Sequence, residues 1–514
     1  MTDTETQVLR ARREKLDAIL ERGLRPFEYR FDRSHDAAGA LASYQDAEEA
    51  GELDPEGQGN NRVRVAGRVV AWRGHGKSAF AHVEDGSGRL QAYFRKDELG
   101  EERFGDLDLL DLGDWIGLEG PLFRTRTGEV TVRVGAWTLL SKSLRPLPLG
   151  KTEVDAETGE RVHHSGFTDT ESRYRQRYAD LAVHPEVREV FRTRSRIVTE
   201  LRRFMDGEGF LEVETPALQP LYGGATARPF VTEHNALDRT MYLRIADELY
   251  LKRLIVGGFE KVYEIAKDFR NEGIDRFHNP EFTMLEFYQA FADYNDMMDL
   301  VERLVVHVVE AATGGRSVAF AGEELRFDPP FARVSFMDAL SDALGEDAMA
   351  LSDAALEARA KKLHLPDLAG AGRGKLLDKL FGALVEPDLL QPTFVLDHPV
   401  ELSPLAKPHR ERPGLVERFE LFAAHAELAN AFSELNDPLD QRARFEAQMA
   451  LREAGDDEAQ SLDEDYLRAM EYGMPPTGGV GVGVDRLVML LTGQTSIRDV
   501  ILFPVLREEE GSSS

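Results

Sequence analysis

The sequence predicts an α+β protein in which a small β-rich region precedes a larger region of mixed strands and helices. Residues 62–145 contain five short β-type runs separated by Gly-rich turns, a pattern typical of a small β-barrel or sandwich. Apolar residues between 190 and 205 recur at helical spacing. After Pro216, strand-like and helix-like segments are mixed up to the C-terminus.

Composition narrows the class of protein. The 514 residues include 63 Lys and Arg, 92 Asp and Glu and no Cys, for a net charge of −29. Disulfides, thiolate nucleophiles and Cys-ligated metals are therefore excluded, and so is a general coat for nucleic acid. Residues 62–145 hold 14 basic and 12 acidic side chains, so this region is the best suited to meet a polyanion. With no apolar run of spanning length and no signal peptide, we expect a cytoplasmic protein and no membrane contact.

The elements in chain order suggest five regions. Residues 5–20 predict a polar helix, and residues 33–60, rich in Ala, Gly and acids, predict a loosely packed segment. The expected regions are a helical extension (1–60), a β-rich domain (61–148), a linker (149–175), a large domain (176–507) with a helical insertion at about 335–390, and a disordered tail (508–514).

Two predicted strands, 261–270 and 281–291, are joined by a ten-residue polar loop and should pair antiparallel. Alternation places Glu286 and Tyr288 on one face of the second strand, together with Phe282. An acid in an apolar strand is costly to bury alone, so a structural ion pair could explain it. With Arg270, Glu272 and Tyr288 close by, the pattern favours a binding site.

A second acidic cluster lies at 417–437. Asn430, Phe432 and Glu434 share one strand face, and a turn near residues 424–425 would bring Glu420 and Glu427 together. Paired carboxylates suit Mg²⁺. Glu427 and Asn430 have opposite parity, so a shared site requires a bulge or a twist of the strand between them. A solvated acidic strand is the alternative, but these acids stand among Phe, Leu and Ala.

The third segment, 478–491, alternates Gly and Val before a helix that begins near Arg486. Such a strand has one nearly bare face, against which a flat ligand can lie. A cationic side chain at a helix start favours an anion there. The sequence contains no Gly-x-x-x-x-Gly-Lys loop, so any ATP site is not of the P-loop type.

These segments together resemble the class II aminoacyl-tRNA synthetases. The helix ending in GFLEVETP resembles motif 1, with Pro216 as its marker proline; FRNEG with RFHNPEF resembles motif 2, and GVGVGVDR resembles motif 3. Similarity to the bacterial lysyl-tRNA synthetases of subclass IIb extends along the whole chain and is carried by residues 223–230, 241–254, 278–288, 430–437 and 497–504.

The resemblance implies an N-terminal OB-fold β-barrel that binds the anticodon and a dimeric catalytic domain with an antiparallel sheet flanked by helices. It also implies the reaction: L-lysine and ATP form lysyl-adenylate, and lysine then passes to tRNA(Lys), with Mg²⁺ as cofactor. Same-class enzymes for aspartate or asparagine are the nearest alternatives. A non-catalytic RNA-binding paralogue should have lost Arg270, Glu427 and Arg486, and a truncated paralogue that lysylates a translation factor would lack the OB domain.

The resemblance also implies roles for single residues, which fall into five groups. Arg270 and Arg486 would be catalytic, and Glu420 and Glu427 would bind the metal. ATP would be held by Arg270, Glu272, His278, Asn279, Phe282, Glu427 and Arg486. Lysine would be held by Gly224, Glu248, Arg270, Glu286, Tyr288, Asn430, Phe432, Glu434 and Gly481. The anticodon would be read by Arg73, Phe80 and Gln91.

Charge supports lysine independently. Bound lysine has two ammonium groups and one carboxylate. Glu248, Glu286 and Glu434 would supply three anionic partners, and Arg270 would supply one cation. An aspartate pocket would need a basic residue toward the substrate side chain, and none is evident in these strands. The family often has glycines at residues 429 and 431, and the alanines there should narrow the site slightly.

Overall fold

The computed structural model describes residues 3–54, 58–154, 161–164, 166–366, 368, 371–453 and 461–507. The predicted tail, 508–514, lies outside these residues. The chain divides into two compact units, Met1–His184 and Pro185–Ser514. No helix in the described part of the chain is long and apolar enough to cross a membrane.

The N-terminal unit is built mainly from antiparallel strands. Its elements are α1 (Asp3–Glu21), α2 (Ala37–Glu49), β1 (Gln58–His75), β2 (Ser78–Glu84), β3 (Arg89–Arg95), α3 (Lys96–Leu99), α4 (Glu101–Gly105), a 3₁₀ turn (Asp106–Leu109), β4 (Trp115–Arg124), β5 (Val130–Arg133), β6 (Ala136–Ser141), β7 (Lys151–Val154), β8 (Arg161–His164), α5 (Thr170–Arg175) and α6 (Arg177–Val183).

The strands β1 to β5 close into a ring. Long strand β1 pairs with β2 along its second half and with β4 along its first half, while β3 and β5 complete the circuit. The predicted small barrel is thus confirmed. Its interior is filled by alternating apolar side chains such as Val63, Phe94 and Leu118, each at most 1 % exposed.

Two N-terminal segments are more ordered than predicted. The segment expected to be loosely packed contains α2, which begins at an Asp36 cap and buries Tyr44 in the barrel core. Its apolar spacing is too sparse to reveal that contact from the sequence. The predicted linker, 149–175, contains the antiparallel hairpin β7–β8 and helix α5.

The C-terminal unit combines one large sheet with helices. Its elements are α7 (Pro185–Gly207), β9 (Leu211–Glu212), β10 (Leu218–Gln219), β11 (Val231–His234), β12 (Arg239–Leu243), α8 (Glu248–Val256), β13 (Lys261–Phe269), β14 (Glu281–Ala290), α9 (Tyr294–Thr313), β15 (Ser317–Phe320), β16 (Glu323–Arg326), β17 (Ala332–Ser335), α10 (Phe336–Leu344), α11 (Asp353–Lys362), α12 (Arg373–Leu384), two 3₁₀ turns (Glu386–Asp388 and Val400–Leu402), β18 (Thr393–Leu396), β19 (Arg418–Ala423), β20 (Ala426–Ser433), α13 (Pro438–Glu453), α14 (Glu464–Glu471), β21 (Thr477–Gly483), α15 (Val484–Leu491) and α16 (Ile497–Val500).

The large sheet has the strand order β17-β18-β19-β20-β21-β14-β13-β9. The pairs between β18 and β13 are antiparallel, and only the two outer pairs are parallel. The predicted antiparallel pair is confirmed as β13–β14, in which Glu264 lies opposite Glu286. The central glycine-rich strand β21 lies between β20 and β14.

The two faces of this sheet differ because alternate residues point to opposite sides. One face is apolar: Leu285 and Phe287 of β14, and Val480 and Val482 of β21, pack in a core that includes α7, α9 and α15. The other face presents Glu286, Tyr288 and Asn430 to a cavity. Within residues 335–390, where a helical insertion was predicted, the structure has α10 to α12, which have their own core around the stacked rings of Phe336 and Phe381.

Candidate functional site

A cavity of about 1080 Å³ lies over the polar face of the large sheet. The cavity is lined by all the residues of the C-terminal unit that were predicted from the sequence to belong to the site. These residues are Gly224, Glu248, Arg270, Glu272, His278, Asn279, Phe282, Glu286, Tyr288, Glu420, Glu427, Asn430, Phe432, Glu434, Gly481 and Arg486. The tertiary structure therefore brings together side chains that are up to 262 positions apart in the chain, from Gly224 to Arg486.

Glycine strand β21 forms part of the cavity floor. Gly479 lies opposite Tyr288, and a Cβ there would stand 2.0 Å from Glu434 Oε1 and 2.4 Å from a Tyr288 ring carbon. The chain's own side chains thus cover the bare face at this point. At Gly481 the nearest atom is 3.2 Å away, and at Gly483 it is 3.7 Å away, so a flat ligand has room only toward this end of the strand.

Two arginines mark the basic part of the cavity. The Arg270 guanidinium lies 5.0 Å from the centre of the Phe282 ring. Arg486 follows β21 in α15 and donates from Nη1 to the Glu427 carbonyl at 2.8 Å, and its Nη2 lies 3.4 Å from His278 Nε2. Cationic groups beside an aromatic face can hold the phosphates and the base of a nucleotide.

The loop between β13 and β14 orients the remaining members of this group. His278 Nδ1 lies 2.8 Å from an Asp275 carboxylate oxygen, and the other oxygen of that carboxylate accepts from the His278 backbone amide at 2.8 Å. Asn279 donates to the Glu281 carbonyl at 2.5 Å, while its buried Oδ1 has no hydrogen-bond partner in the described structure. That acceptor is available to a ligand.

The acid pair is brought together by a bulged hairpin. Leu421 pairs with Ala429 but the adjacent Phe422 pairs with Glu427, so Leu428 is an extra residue. The bulge that the sequence required is confirmed, and Glu420 and Glu427 both face the cavity. At the hairpin turn, Ala424 and His425 have left-handed φ angles of 51° and 62°, which non-glycine residues rarely adopt.

The surroundings of Glu420 disfavour its negative charge, so a nearby cation would stabilise the charged carboxylate. Burial raises the pKa of Glu420 to about 8, Arg418 opposes this rise, and the negative charge of Glu427 adds to it. Arg418 Nη2 donates to Glu420 Oε1 at 2.5 Å.

The prediction that alanines narrow the site is wrong, because Ala429 and Ala431 point to the opposite face and are buried in the core.

Lys252, which the sequence did not single out, lies beside the same acids. Its Nζ is 2.5 Å from Glu248 Oε1 and also forms an ion pair with Glu434, and the residue is 0 % exposed. The prediction that these strands carry no basic residue toward the substrate side chain did not cover Lys252, which comes from helix α8. The four-residue spacing of Glu248 and Lys252 was the available signal.

Glu286 also belongs to a cluster of three buried acids. Asp247, Asp268 and Glu286 each have an oxygen within 4.8 Å of the others, and Arg244 Nη1 lies 3.0 Å from Asp247. Burial and the neighbouring carboxylate raise the pKa of Asp247 to about 9. Burial raises the pKa of Asp268 to about 6, although Arg270 and Arg244 oppose this.

The three residues predicted to read the anticodon lie on neighbouring barrel strands. Ala79 and Ala81 are buried, so Phe80 between them points outward, where its ring stacks on Tyr93 at 4.4 Å. Arg73 lies opposite Phe80 and is exposed. Gln91 is mostly buried: it donates to Glu129 at 2.6 Å and accepts from Thr131 at 2.9 Å. Glu129 was not predicted.

Comparisons with known families match both units. The family described as tRNA synthetases class II (D, K and N) matches residues 169–507. A second family, described as OB-fold nucleic acid binding domain, matches residues 63–140, which contain the closed ring of strands. The two families account for the large sheet with its cavity and for the barrel.

Individual proteins match over nearly their full length. The Lysine--tRNA ligase of Carboxydothermus hydrogenoformans is 50 % identical over 505 residues, which cover 98 % of this chain and 99 % of the relative. Proteins of the same name from Syntrophomonas wolfei and Moorella thermoacetica are each 51 % identical, over 503 and 509 residues. They cover 98 % and 99 % of this chain, and 97 % and 99 % of the relatives.

Proposed function

The chain belongs to the class II aminoacyl-tRNA synthetases, among the lysine–tRNA ligases, and from this premise we propose how its own residues carry out the reaction. It ligates L-lysine to tRNA in an ATP-dependent reaction. One observation carries the assignment of residues: a single cavity joins two arginines, an acid pair and a further group of acids. These are the charges that ATP and lysine require.

We assign the substrate lysine to the group formed by Glu248, Glu286, Tyr288, Asn430 and Glu434, with Gly224, Phe432 and Gly481 completing the wall. The support is burial together with charge. Glu286 and Glu434 are 7 % and 1 % exposed, and the pKa of each is raised by burial, so an ammonium group would relieve the cost of ionising them. Arg270 is the candidate partner for the substrate carboxylate.

ATP is assigned to the end of the cavity that holds Arg270, Phe282 and Arg486. Phe282 and the Arg486 guanidinium offer two flat surfaces for adenine, and Glu272, His278 and Asn279 offer polar contacts. The carboxylate of lysine attacks the α-phosphate in line, the bond to the β-phosphate breaks and pyrophosphate leaves, so the formation of lysyl-adenylate needs no general base from the protein. Catalysis then depends on positioning and on the charge of Arg270 and Arg486.

Glu420 and Glu427 are the candidate ligands of Mg²⁺. Their carboxylate oxygens are the donor type that Mg²⁺ prefers, and a positive neighbour would oppose the rise in the pKa of Glu420. When bound, Mg²⁺ supplies charge neutralisation for the phosphates of ATP. The two glutamates hold that position, and Arg418 orients Glu420 through its hydrogen bond.

The barrel is proposed to read the anticodon through Arg73, Phe80 and Gln91. The outward stack of Phe80 on Tyr93 supports this, since an aromatic surface can take a stacked base.

We also retain a homodimer and a cytoplasmic location as predictions. For the dimer, the support is a group of exposed apolar side chains after α7, namely Leu211, Leu218 and Val231, and light scattering would test it.

ATP–pyrophosphate exchange tests the proposal directly. The protein is incubated with ATP, Mg²⁺ and labelled pyrophosphate, and each of lysine, aspartate and asparagine is added in turn. Exchange with lysine alone is the expected result. Exchange driven by aspartate or asparagine would redirect the assignment within the family, and no exchange with any of the three would leave a non-catalytic role. Nothing in the described residues favours either alternative.

A further inference from the structure

We propose that Lys252 is a positioning residue for substrate recognition: it fixes Glu248 and Glu434 and neutralises one of their two charges, so that the pocket accepts a side chain with a single positive charge. The inference rests on the assignment of lysine to this pocket. It concerns a residue that does not have to touch the substrate and that the cavity wall does not include.

The contacts of Lys252 identify its role. Its ammonium group bridges Glu248, one helical turn earlier in α8, and Glu434, which follows β20. It also lies 5.9 Å from the ring centre of Tyr288 and 5.4 Å from that of Phe432. All four partners line the cavity and were assigned to lysine, so one buried cation links the separate pieces of the pocket wall.

The charges around this ammonium come from five elements. Glu248 and Lys252 lie on α8, Glu286 and Tyr288 on β14, and Glu434 follows β20; the others are Tyr466 on α14 and Arg418 on β19. Glu434 has Lys252 as its opposing charge and Glu248 as a like charge, whereas Arg418 acts on Glu248. Lys252 is thus the cation that opposes the rise in the pKa of Glu434.

Removal of this cation has a defined consequence. A fully buried carboxylate without a positive partner takes up a proton, because burial disfavours the charged form. Burial already raises the pKa of Glu434, and Lys252 counteracts that rise. Without Lys252 the pKa of this carboxylate would rise further, and its neutral form would attract an ammonium group only weakly. Lys252 offsets one of the two glutamate charges. The one negative charge that is left matches one substrate ammonium.

Three variants test this role. Lys252→Met removes the charge and keeps much of the side-chain volume; Lys252→Arg keeps the charge. Lys261→Met is the matched control, because Lys261 lies outside the cavity, with its ammonium on the Glu208 carbonyl at 2.9 Å and over the Phe210 ring. KM and kcat for lysine and for ATP are measured by pyrophosphate exchange between about pH 7 and pH 9, and thermal unfolding reports whether each variant is folded.

Lys252→Met should raise the KM for lysine about tenfold or more at neutral pH, since the neutral form of Glu434 attracts the substrate ammonium only weakly, while the KM for ATP stays near that of the parent protein. That lysine KM should fall as pH rises, because Glu434 regains its charge, whereas the parent protein and Lys252→Arg should show a flatter profile. Isothermal titration of lysine into the folded variant provides a binding measurement independent of turnover.

The outcomes separate this inference from the proposed function. If the parent protein shows no lysine-dependent exchange, the proposed function fails. If the parent is active and Lys252→Met keeps its lysine KM, the inference is overturned. Equal defects in Lys252→Met and Lys252→Arg with no pH dependence would assign Lys252 to packing alone and would also overturn it. If Lys252→Met does not fold, Lys252→Arg still tests it through the retained lysine KM and pH profile.

Discussion

Glu434 illustrates how one buried side chain determines what the cavity binds. It is 1 % exposed, it pairs with Lys252, and its Oε1 occupies the space that a Cβ at Gly479 would need. We expect Glu434→Gln to weaken lysine activation sharply, because the loss of one charge of a buried pair costs ~2–5 kcal/mol, while ATP binding survives. Exchange kinetics at varied lysine and varied ATP separate the two effects.

Glu281→Gln is the control for this prediction. Glu281 lies at the exposed start of β14 and pairs with Lys267 at 3.6 Å, outside the cavity, so its substitution should leave both KM values unchanged. If the Glu434→Gln protein keeps the parent's KM and kcat for lysine, Glu434 is not part of the lysine-binding site.

The bulged hairpin β19–β20 determines how the acid pair is arranged, since the extra residue Leu428 turns Glu427 toward Glu420. We expect the double variant Glu420→Gln and Glu427→Gln to lose Mg²⁺-dependent exchange while the protein remains folded, because carboxylates are replaced by neutral groups of the same shape. Exchange at increasing Mg²⁺, with circular dichroism, checks this. Full activity in the folded double variant would exclude the pair as metal ligands.

The paired strands β2 and β3 place Phe80 and Tyr93 on the outer face of the barrel. Stacking of a base on an aromatic ring contributes ~1–3 kcal/mol, so Phe80→Ala should raise the KM for tRNA roughly ten- to a hundredfold. Lysine-dependent pyrophosphate exchange, which needs no tRNA, should stay intact. Aminoacylation and exchange are therefore measured side by side.

Tyr29→Ala is the comparison for the barrel variant, because Tyr29 is an aromatic that is 94 % exposed and lies before the first barrel strand. It should leave the KM for tRNA unchanged. A fall in both assays for Phe80→Ala would indicate a structural role for the ring, and no change in either would mean that the anticodon is read elsewhere.

Stability of the whole molecule should depend on pH through its buried acids. The pKa of Asp247 is about 9 in the folded protein, because burial and Asp268 raise it, and 3.8 is its ordinary value. Between about pH 6 and pH 9 the unfolded chain has already released this proton while the folded chain retains it. The free energy of unfolding should therefore fall as pH rises, by at most ~1.4 kcal/mol per pH unit from this group.

Asp247→Asn isolates this contribution. The amide has the shape of the protonated acid and does not ionise, so the variant should show a shallower loss of melting temperature between about pH 6 and pH 9. Scanning calorimetry across that range compares it with the parent protein. Parallel pH curves for the two proteins would show that Asp247 does not retain its proton on folding.

The sequence by itself determined the class of fold and the strand segments that carry the candidate site, because both depend on local patterns, whereas the roles of single residues came from the family resemblance. Alternation predicted the pair β13–β14 and the shared face of Glu286 and Tyr288, and the requirement for a bulge between Glu427 and Asn430 followed from parity alone. Spacing also predicted a small β-barrel or sandwich, and the structure has a closed ring of strands. Composition predicted a helical lobe at about 335–390, where the structure has α10 to α12.

Only the tertiary structure decided which charges face each other. Lys252 reaches Glu434 across 182 positions of sequence, and Asp268 lies beside Asp247 only because β13 passes the start of α8. The outward direction of Phe80 was also fixed by packing, since a side chain between two small residues carries no periodic signal for either face. Burial and long-range pairing set these positions, and neither is encoded in local spacing.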